Sequence, residues 1–440
     1  MKYGKRPHLS ARDLQLLFLI GLAALIVAGV LIGADIQVAG RLSGGGGFYS
    51  PWQAARAFLF EHTEPYGEAA ARLAQEQAYG RAARVGENRY FLQLPFFLLP
   101  VYFPFALLVD AATARGLWLF VNEAALAVTG LLALRLAEWQ PPRAFQVGFT
   151  LLSVFSLYSV TSLLEGGPAI LLGLAYCGIL YAYASGQDEL AGGLLALTLF
   201  AWEIGVFFVL LLVWKSAYDR RWRVWAGFGM ALAVLLIVSF LIHSGWVFPF
   251  VVATLATLRA PFGTNSAAIL ERLSPVYGER AAQAMTVLLI LLLLYEWSAT
   301  RRGDERRFVW TGCLTLALTP LIGLRLELHN LVVILPGLAL IGAGVANRWR
   351  TGYWLAGLLL LVVLLLPWGW FAQWHLLGDG LAHDLLLLFL PAFTALGLYW
   401  TRWWFVRPPR TWLDHVRSSA RPTQPRPGSR GLPDSTGRGA

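Results

Sequence analysis

Residues 35–89 read DIQVAGRLSGGGGFYSPWQAARAFLFEHTEPYGEAAARLAQEQAYGRAARVGENR and lie between the first two long apolar runs of the chain. Nowhere else do carboxylates, arginines, aromatics and a glycine run gather in one polar block. A block this long is more than a connector. Between apolar runs it belongs outside the hydrocarbon, at the chemical end of the protein, on the membrane face opposite the N-terminus.

Composition sets the class around that block. The 440 residues are 57% hydrophobic with only 14% charged, and the mean hydropathy is +0.59. A soluble domain carries nearer a quarter charged residues. Helices and closed barrels are the structures that satisfy their backbone in lipid, and a barrel would show short alternating strands. The expected fold is therefore an all-α polytopic membrane protein. The formal charge of +10 does not point to nucleic acid, because the basic residues fall mostly between apolar runs. Cys177 and Cys313 both sit in apolar segments, with no disulfide framework and no metal spacing. No glycine-rich phosphate loop followed by Lys and Ser/Thr is present in the sequence. No cofactor is expected, and a divalent metal is left open. The first apolar run is too long for a signal-peptide core and reads as a retained span.

Lys2, Lys5, Arg6 and Arg12 precede that span and place residues 1–12 in the cytoplasm. A crossing helix needs about 20 apolar residues. On this measure spans fall near 13–34, 91–111, 114–136, 145–164, 168–186, 190–214, 225–243, 280–298, 308–324, 331–346, 353–372 and 385–401. The expected transmembrane domain is thus 13–401, with outer loops at 35–90 and 244–279. Inner loops would hold Lys215, Arg220, Arg221 and Arg223, then Arg301, Arg302, Arg306 and Arg307, then Arg348 and Arg350. Outer connectors would hold Asp188 with Glu189, and Asp379 with Asp384. The basic, Pro/Gly/Ser-rich tail 402–440 is expected to be disordered in the cytoplasm. In the first loop, Ser50-Pro51 reads as N-cap and first helical residue. Helices are expected over 51–62 and 67–80, lying along the outer surface behind a glycine hinge at Gly44–Gly47.

The order of features resembles glycosyltransferase family 87, polyprenyl-phosphate-sugar-dependent enzymes of the GT-C membrane fold. The likeness rests on FYSPWQAARAFLFEHTEPYG, FLQLPFFLLPVYFPFALL and TARGLWLFVNEAAL. It continues through AGGLLALTLF with WKSAYDRRWRVWAGF, and LYEWSATRRGDERRFVWTGCLTLALTPLIGLRLELHNLVVILP, so it covers residues 48–336. The resemblance implies a GT-C-like bundle of about twelve helices in the plasma membrane, the bacterial inner membrane. It implies an inverting hexosyltransferase, mannosyltransferase-like, moving a sugar from a polyprenyl-phosphate carrier. The acceptor would be a glycan, glycolipid or protein on the outer face. A first-loop carboxylate would act as base. Three positions depart from the family pattern. Gly47 stands where the family has an acid, Gly166-Gly167 where it has Gly-Gln, and Ala201-Trp202-Glu203 where it has Lys-Pro-Gln.

The base must then be another carboxylate at the outer surface. Asp35, at the outer end of the first span, and Glu64, in the Thr-Glu-Pro-Tyr turn, are the two candidates, with Glu61 third. Asp35 reads equally as a boundary charge, and Glu64 as a helix N-terminal charge. Trp52, Arg56 and Tyr66 match the loop motif as substrate contacts, though packing of the loop explains them as well. Glu123 and Glu203 fall inside expected spans, where a charge costs roughly 3 kcal/mol or more and so faces a cavity or a partner. Arg325, Glu327 and His329 form an outer cluster suited to a lipid phosphate. Arg259, Arg272 and Arg280 read as solvated charges. Two competing readings remain: a scaffold relative without transfer activity, for which Gly47 argues, and a twelve-span secondary transporter. A transporter of that plan would show two related halves, and the sequence shows none.

Overall fold

The computed structural model describes residues 11–42, 44–200, 202–259, 264–301, 304–372 and 379–406. The expected cytoplasmic N-terminus and nearly all of the expected disordered tail lie outside these. The described chain is helical almost throughout, with one antiparallel pair of two-residue strands. Seven helices are long and apolar enough to cross a membrane, or eight if the bent pair Arg143–Phe155 and Leu157–Glu165 is one span. The protein is an all-α polytopic membrane protein.

Burial separates lipid-facing from central helices. Only 11% of the apolar window is buried in Gly21–Arg41 and in Trp222–Ile242, against 83% in Leu328–Arg348. The last is therefore the axis of the bundle. Its buried residues Leu335 to Ala346 join the main core with Tyr176, Phe208, Trp310 and Leu398. The first helix, Ala11–Arg41, packs along Ala111–Leu136, and Trp222–Ile242 packs along Asp188–Ala196. The bent pair turns by 51° at Ser156. That residue is extended, and its Oγ accepts the Ser159 N–H, so it caps a new helix instead of continuing the old one.

Ion pairs and loop contacts mark the two ends of the bundle. At one end Arg221 meets Asp188 and Glu305, Arg223 meets Glu189, and Lys215 meets Asp219. At the other, Gly47 meets Glu165, and His243 meets Glu64. Two expectations are corrected here. The stretch 91–111 is not one helix: a 3₁₀ segment Phe96–Tyr102 runs into a single turn, Phe103–Ala106. Pro95, Pro100 and Pro104 break it, since each lacks an N–H and none continues an α-helix freely. The stretch 190–214 is a hairpin of Asp188–Ala196 and Trp202–Tyr218, with turns at 197–200. The Asp188–Glu189 connector consequently lies with the arginines 221 and 223, not at the loop end where it was expected.

The first loop is helical as expected, with shifted boundaries. One helix runs Gly46–Arg56 and unwinds into a π turn at Ala57–Glu61, and a second runs Glu68–Tyr79. Ser50 and Pro51 lie inside the first helix, not at its start. The N-cap is Gly45, with φ +83. Pro51 is the sixth residue of this helix, so its missing N–H leaves the Gly47 carbonyl, four residues back, without its intrahelical donor. These helices share an aromatic core of their own with Phe96–Ala106, Trp118 and Trp246.

Candidate functional site

The glycine run builds the site. Gly44 and Gly45 take the left-handed backbone (φ +100 and +83), and Gly46 and Gly47 then open the helix. The expected hinge is thus a close-packed wall. A side chain at Gly46 would fall on the Tyr90 ring. A Cβ at Gly47 would lie 2.7 Å from the Gly167 nitrogen and 2.8 Å from its Cα. The Gly47 N–H donates to Glu165 Oε1 at 3.0 Å. An acidic side chain thus reaches the Gly47 backbone from the opposite wall.

Side-chain donors hold the backbone on both sides of Glu165. Arg115, 1% exposed, donates to the carbonyls of Ala39, Leu42 and Leu164, so one cation completes the C-terminal turns of two helices. The Trp118 Nε1–H donates to Gly166 O at 2.9 Å. Gly166 itself is left-handed at φ +71, which only glycine adopts freely, and it packs against the Phe48 Cβ.

A cavity of about 340 Å³ opens beside this contact. Gly46, Gly47, Ser50 and Pro51 form one wall, and Glu165, Gly167 and Pro168 the next. Asn88, Tyr90 to Leu94 and Tyr102 form a third, and Phe200, Glu203, Ile204, Glu327, His329 and Asn330 close it. The volume is within the range of small-molecule sites. His329 Nε2 lies 2.9 Å from Glu327 Oε2 and is in electrostatic reach of Glu165 and Glu203. Tyr90 is left-handed at φ +49, with its N–H on Asn88 Oδ1. A bulky residue there is strained, and such strain gathers at functional sites. Burial, and then the Glu165 charge, holds the Tyr90 phenol well above its usual range, so it stays protonated.

Of the residues singled out from sequence, Glu203, Glu327 and His329 meet in the cavity. Asp35, Glu61, Glu64, Trp52, Arg56, Tyr66 and Glu123 line no part of it. Asp35 lies buried on the first helix, close enough to Glu123 for the two carboxylates to interact. Glu64, half-exposed, pairs with His243 at 3.4 Å, and Glu61 is exposed. Trp52 donates to Phe105 O, Arg56 to Ala106 O and Leu108 O, and Tyr66 to Leu94 O. These three fasten the loop helix to the 94–108 segment. Arg325 pairs through its backbone with Asn265, and its side chain lies outside the described residues. Arg272 is tied to Asp384 at 2.7 Å instead of being free in solvent. Glu165 and Tyr90 are the cavity residues that sequence reading passed over. The signal was a carboxylate abutting Gly166-Gly167. Among the described residues no three His, Cys, Asp or Glu side chains gather closely enough to hold a metal ion.

Fold and cavity together define a polytopic helical membrane protein with an acidic pocket at the end that carries its long loop. No protein-family model, curated protein or solved structure matches the chain.

Proposed function

We propose that the protein is a membrane glycosyltransferase of GT-C type that takes a hexose, mannose-like, from a polyprenyl-phosphate carrier and passes it to an acceptor on the outer face. The observation that carries this reading is the cavity, where Glu165, Glu203, Glu327 and His329 converge on the Gly47 stretch. Carboxylates, amides and a phenol are the groups that bind sugar hydroxyls, and a carboxylate can serve as base.

The chain crosses the plasma membrane twelve times with both termini in the cytoplasm. The hairpin 188–218 supplies two crossings, and 91–111 supplies none. Asp188 and Asp219 share the end marked by Arg221, while Phe200 and Glu203 line the cavity at the other. At 1.5 Å per residue, 188–200 spans only about 20 Å, so the cavity floor sits below the headgroups of a ~30 Å hydrocarbon layer. A lipid-borne phosphate reaches such a site from the side.

In the reaction a carboxylate on the wall accepts the proton of the acceptor hydroxyl. The oxygen forms a bond to the anomeric carbon from the face opposite the phosphate. The anomeric C–O bond to phosphate breaks, its electron pair leaves on the lipid phosphate, and configuration inverts. His329, beside Glu327, is the cavity side chain that meets the leaving group with a ring N–H.

The test uses purified protein in vesicles with a panel of radiolabelled polyprenyl-phosphate hexoses and a membrane lipid extract as acceptor. The wild type releases lipid phosphate and labels an acceptor. His329→Ala raises the KM for donor about tenfold, the effect of losing roughly 1.4 kcal/mol of binding. If no hexose leaves any carrier in the panel, the reading fails.

A further inference from the structure

We propose that Glu165 is the general base of this transfer, so the catalytic carboxylate sits on the bent membrane helix and not on the loop. The assignment rests on the glycosyltransferase reading above. Glu165 is the last residue of Leu157–Glu165 and lines the cavity. One oxygen is held by the Gly47 N–H in the first turn of Gly46–Arg56, where the helix dipole favours the anion. The neighbouring backbone is fixed on both sides, by Arg115 on Leu164 O and Trp118 on Gly166 O. A base held this way loses little freedom on reaching the transition state.

The approach of the two walls explains why the base comes from this side. The helix that begins at Gly46 meets the Gly166–Gly167 turn so closely that position 47 has no room for a Cβ. A carboxylate grown from residue 47 would have to push the Gly167 backbone away. One grown from residue 165 meets no such obstacle and takes the Gly47 N–H as its anchor. Glu327 is committed to His329 at 2.9 Å. Asp35 and Glu64 line no part of the cavity.

The step balances simply. Glu165 carboxylate takes the acceptor proton and becomes the carboxylic acid as the oxygen bonds to the anomeric carbon, and the lipid phosphate leaves with the electron pair. The proton later passes to solvent, and the base is restored.

The experiment compares Glu165→Gln, Glu165→Asp and Glu165→Ala with wild type, in vesicles and with the donor panel above. The glutamine keeps an oxygen for the Gly47 N–H but is no base. Expected are a kcat lower by about a hundredfold to ten-thousandfold, a donor KM within about threefold, and partial activity for Glu165→Asp. Glu165→Ala, otherwise inactive, regains turnover when formate is added, which a purely structural role would not allow. Transfer by Glu165→Gln at the wild-type rate overturns the assignment and leaves the glycosyltransferase reading standing. Should Glu165→Gln fail to fold, formate decides: rescue of Glu165→Ala supports the base, and its absence overturns it. A wild type inert toward the whole panel overturns both.

Discussion

Glu165 and Glu296 are both glutamates set near the ends of membrane helices, at opposite ends of the bundle. Glu296, 1% exposed, receives Arg307, Arg402 and the Tyr399 hydroxyl. Arg402 also lies over the Trp310 and Tyr399 rings. Glu165 receives one backbone N–H and borders a cavity. At the Glu296 end, charge is neutralised by charge across three helices, and the result is a lock. At the Glu165 end, the carboxylate itself is held by a backbone N–H, while Arg115 and Trp118 fix the carbonyls on either side of it, and it borders open space. The same side chain is a fastener where its partners are cations, and is placed for the proposed role of base where its partner is an amide beside a void.

The all-or-none way to break this comparison is to show that the ends do not face opposite sides of the membrane. Cysteines placed at Val85, fully exposed at the loop end, and at Thr351, exposed beside Arg348 and Arg350, should label oppositely with an impermeant reagent. Val85→Cys labels from outside and Thr351→Cys only after the membrane is opened. Both native cysteines are buried and stay silent. Labelling of both variants from one side ends the twelve-crossing arrangement.

A smaller effect separates the lock from the proposed base. Glu296→Ala leaves Arg307 and Arg402 without their carboxylate, and removing one partner of a buried ion pair costs about 3–5 kcal/mol. Thermal unfolding in detergent should fall accordingly, while sugar transfer below the melting temperature stays near the wild-type rate. A Glu296→Ala protein as stable as wild type would show that the far end is no lock. Smaller again is Gly47→Ala. The added methyl meets the Gly167 backbone at contact distances that force a shift, and overpacking of this kind costs roughly 1–3 kcal/mol. Because the shift moves the Gly47 N–H off Glu165, transfer should fall by more than the stability loss explains. An unchanged rate would mean that the 3.0 Å contact does not position the carboxylate.

Much of this was legible in the sequence, and the misses have physical causes. Long leucine-rich runs such as Leu358–Leu366 announced their helices, because only lipid or a deep core tolerates them. The apolar faces of the loop announced two surface helices. Glu327 and His329 announced themselves by standing together at the edge of an apolar run, and Glu203 by standing inside one. The segment 91–111 misled because hydropathy does not distinguish lipid from an aromatic core, and its prolines were the sign overlooked. The hairpin turn at 197–200 was invisible because no polar residue but Thr198 marks it, and that hydroxyl is spent on Leu195 O. Glu165 was passed over because its role depends on Gly47, and no local pattern joins them.

The Gly47–Glu165 contact spans 118 residues of chain, whereas the Arg56 contacts that fasten the loop helix span about 50. A ribosome delivering about 5–20 residues per second therefore exposes the glycine wall roughly 6 to 24 seconds before its carboxylate exists. In that interval most of the loop's aromatic core, which lies within residues 48–118, is already made, and Trp246 joins it later. The loop helix then presents bare N–H groups until the bent helix is inserted, and the wall holding Glu327 and His329 is inserted later still. Nascent chains halted before residue 165 should carry a folded loop and no pocket, so the protein acquires its shape at that end long before it acquires its chemistry.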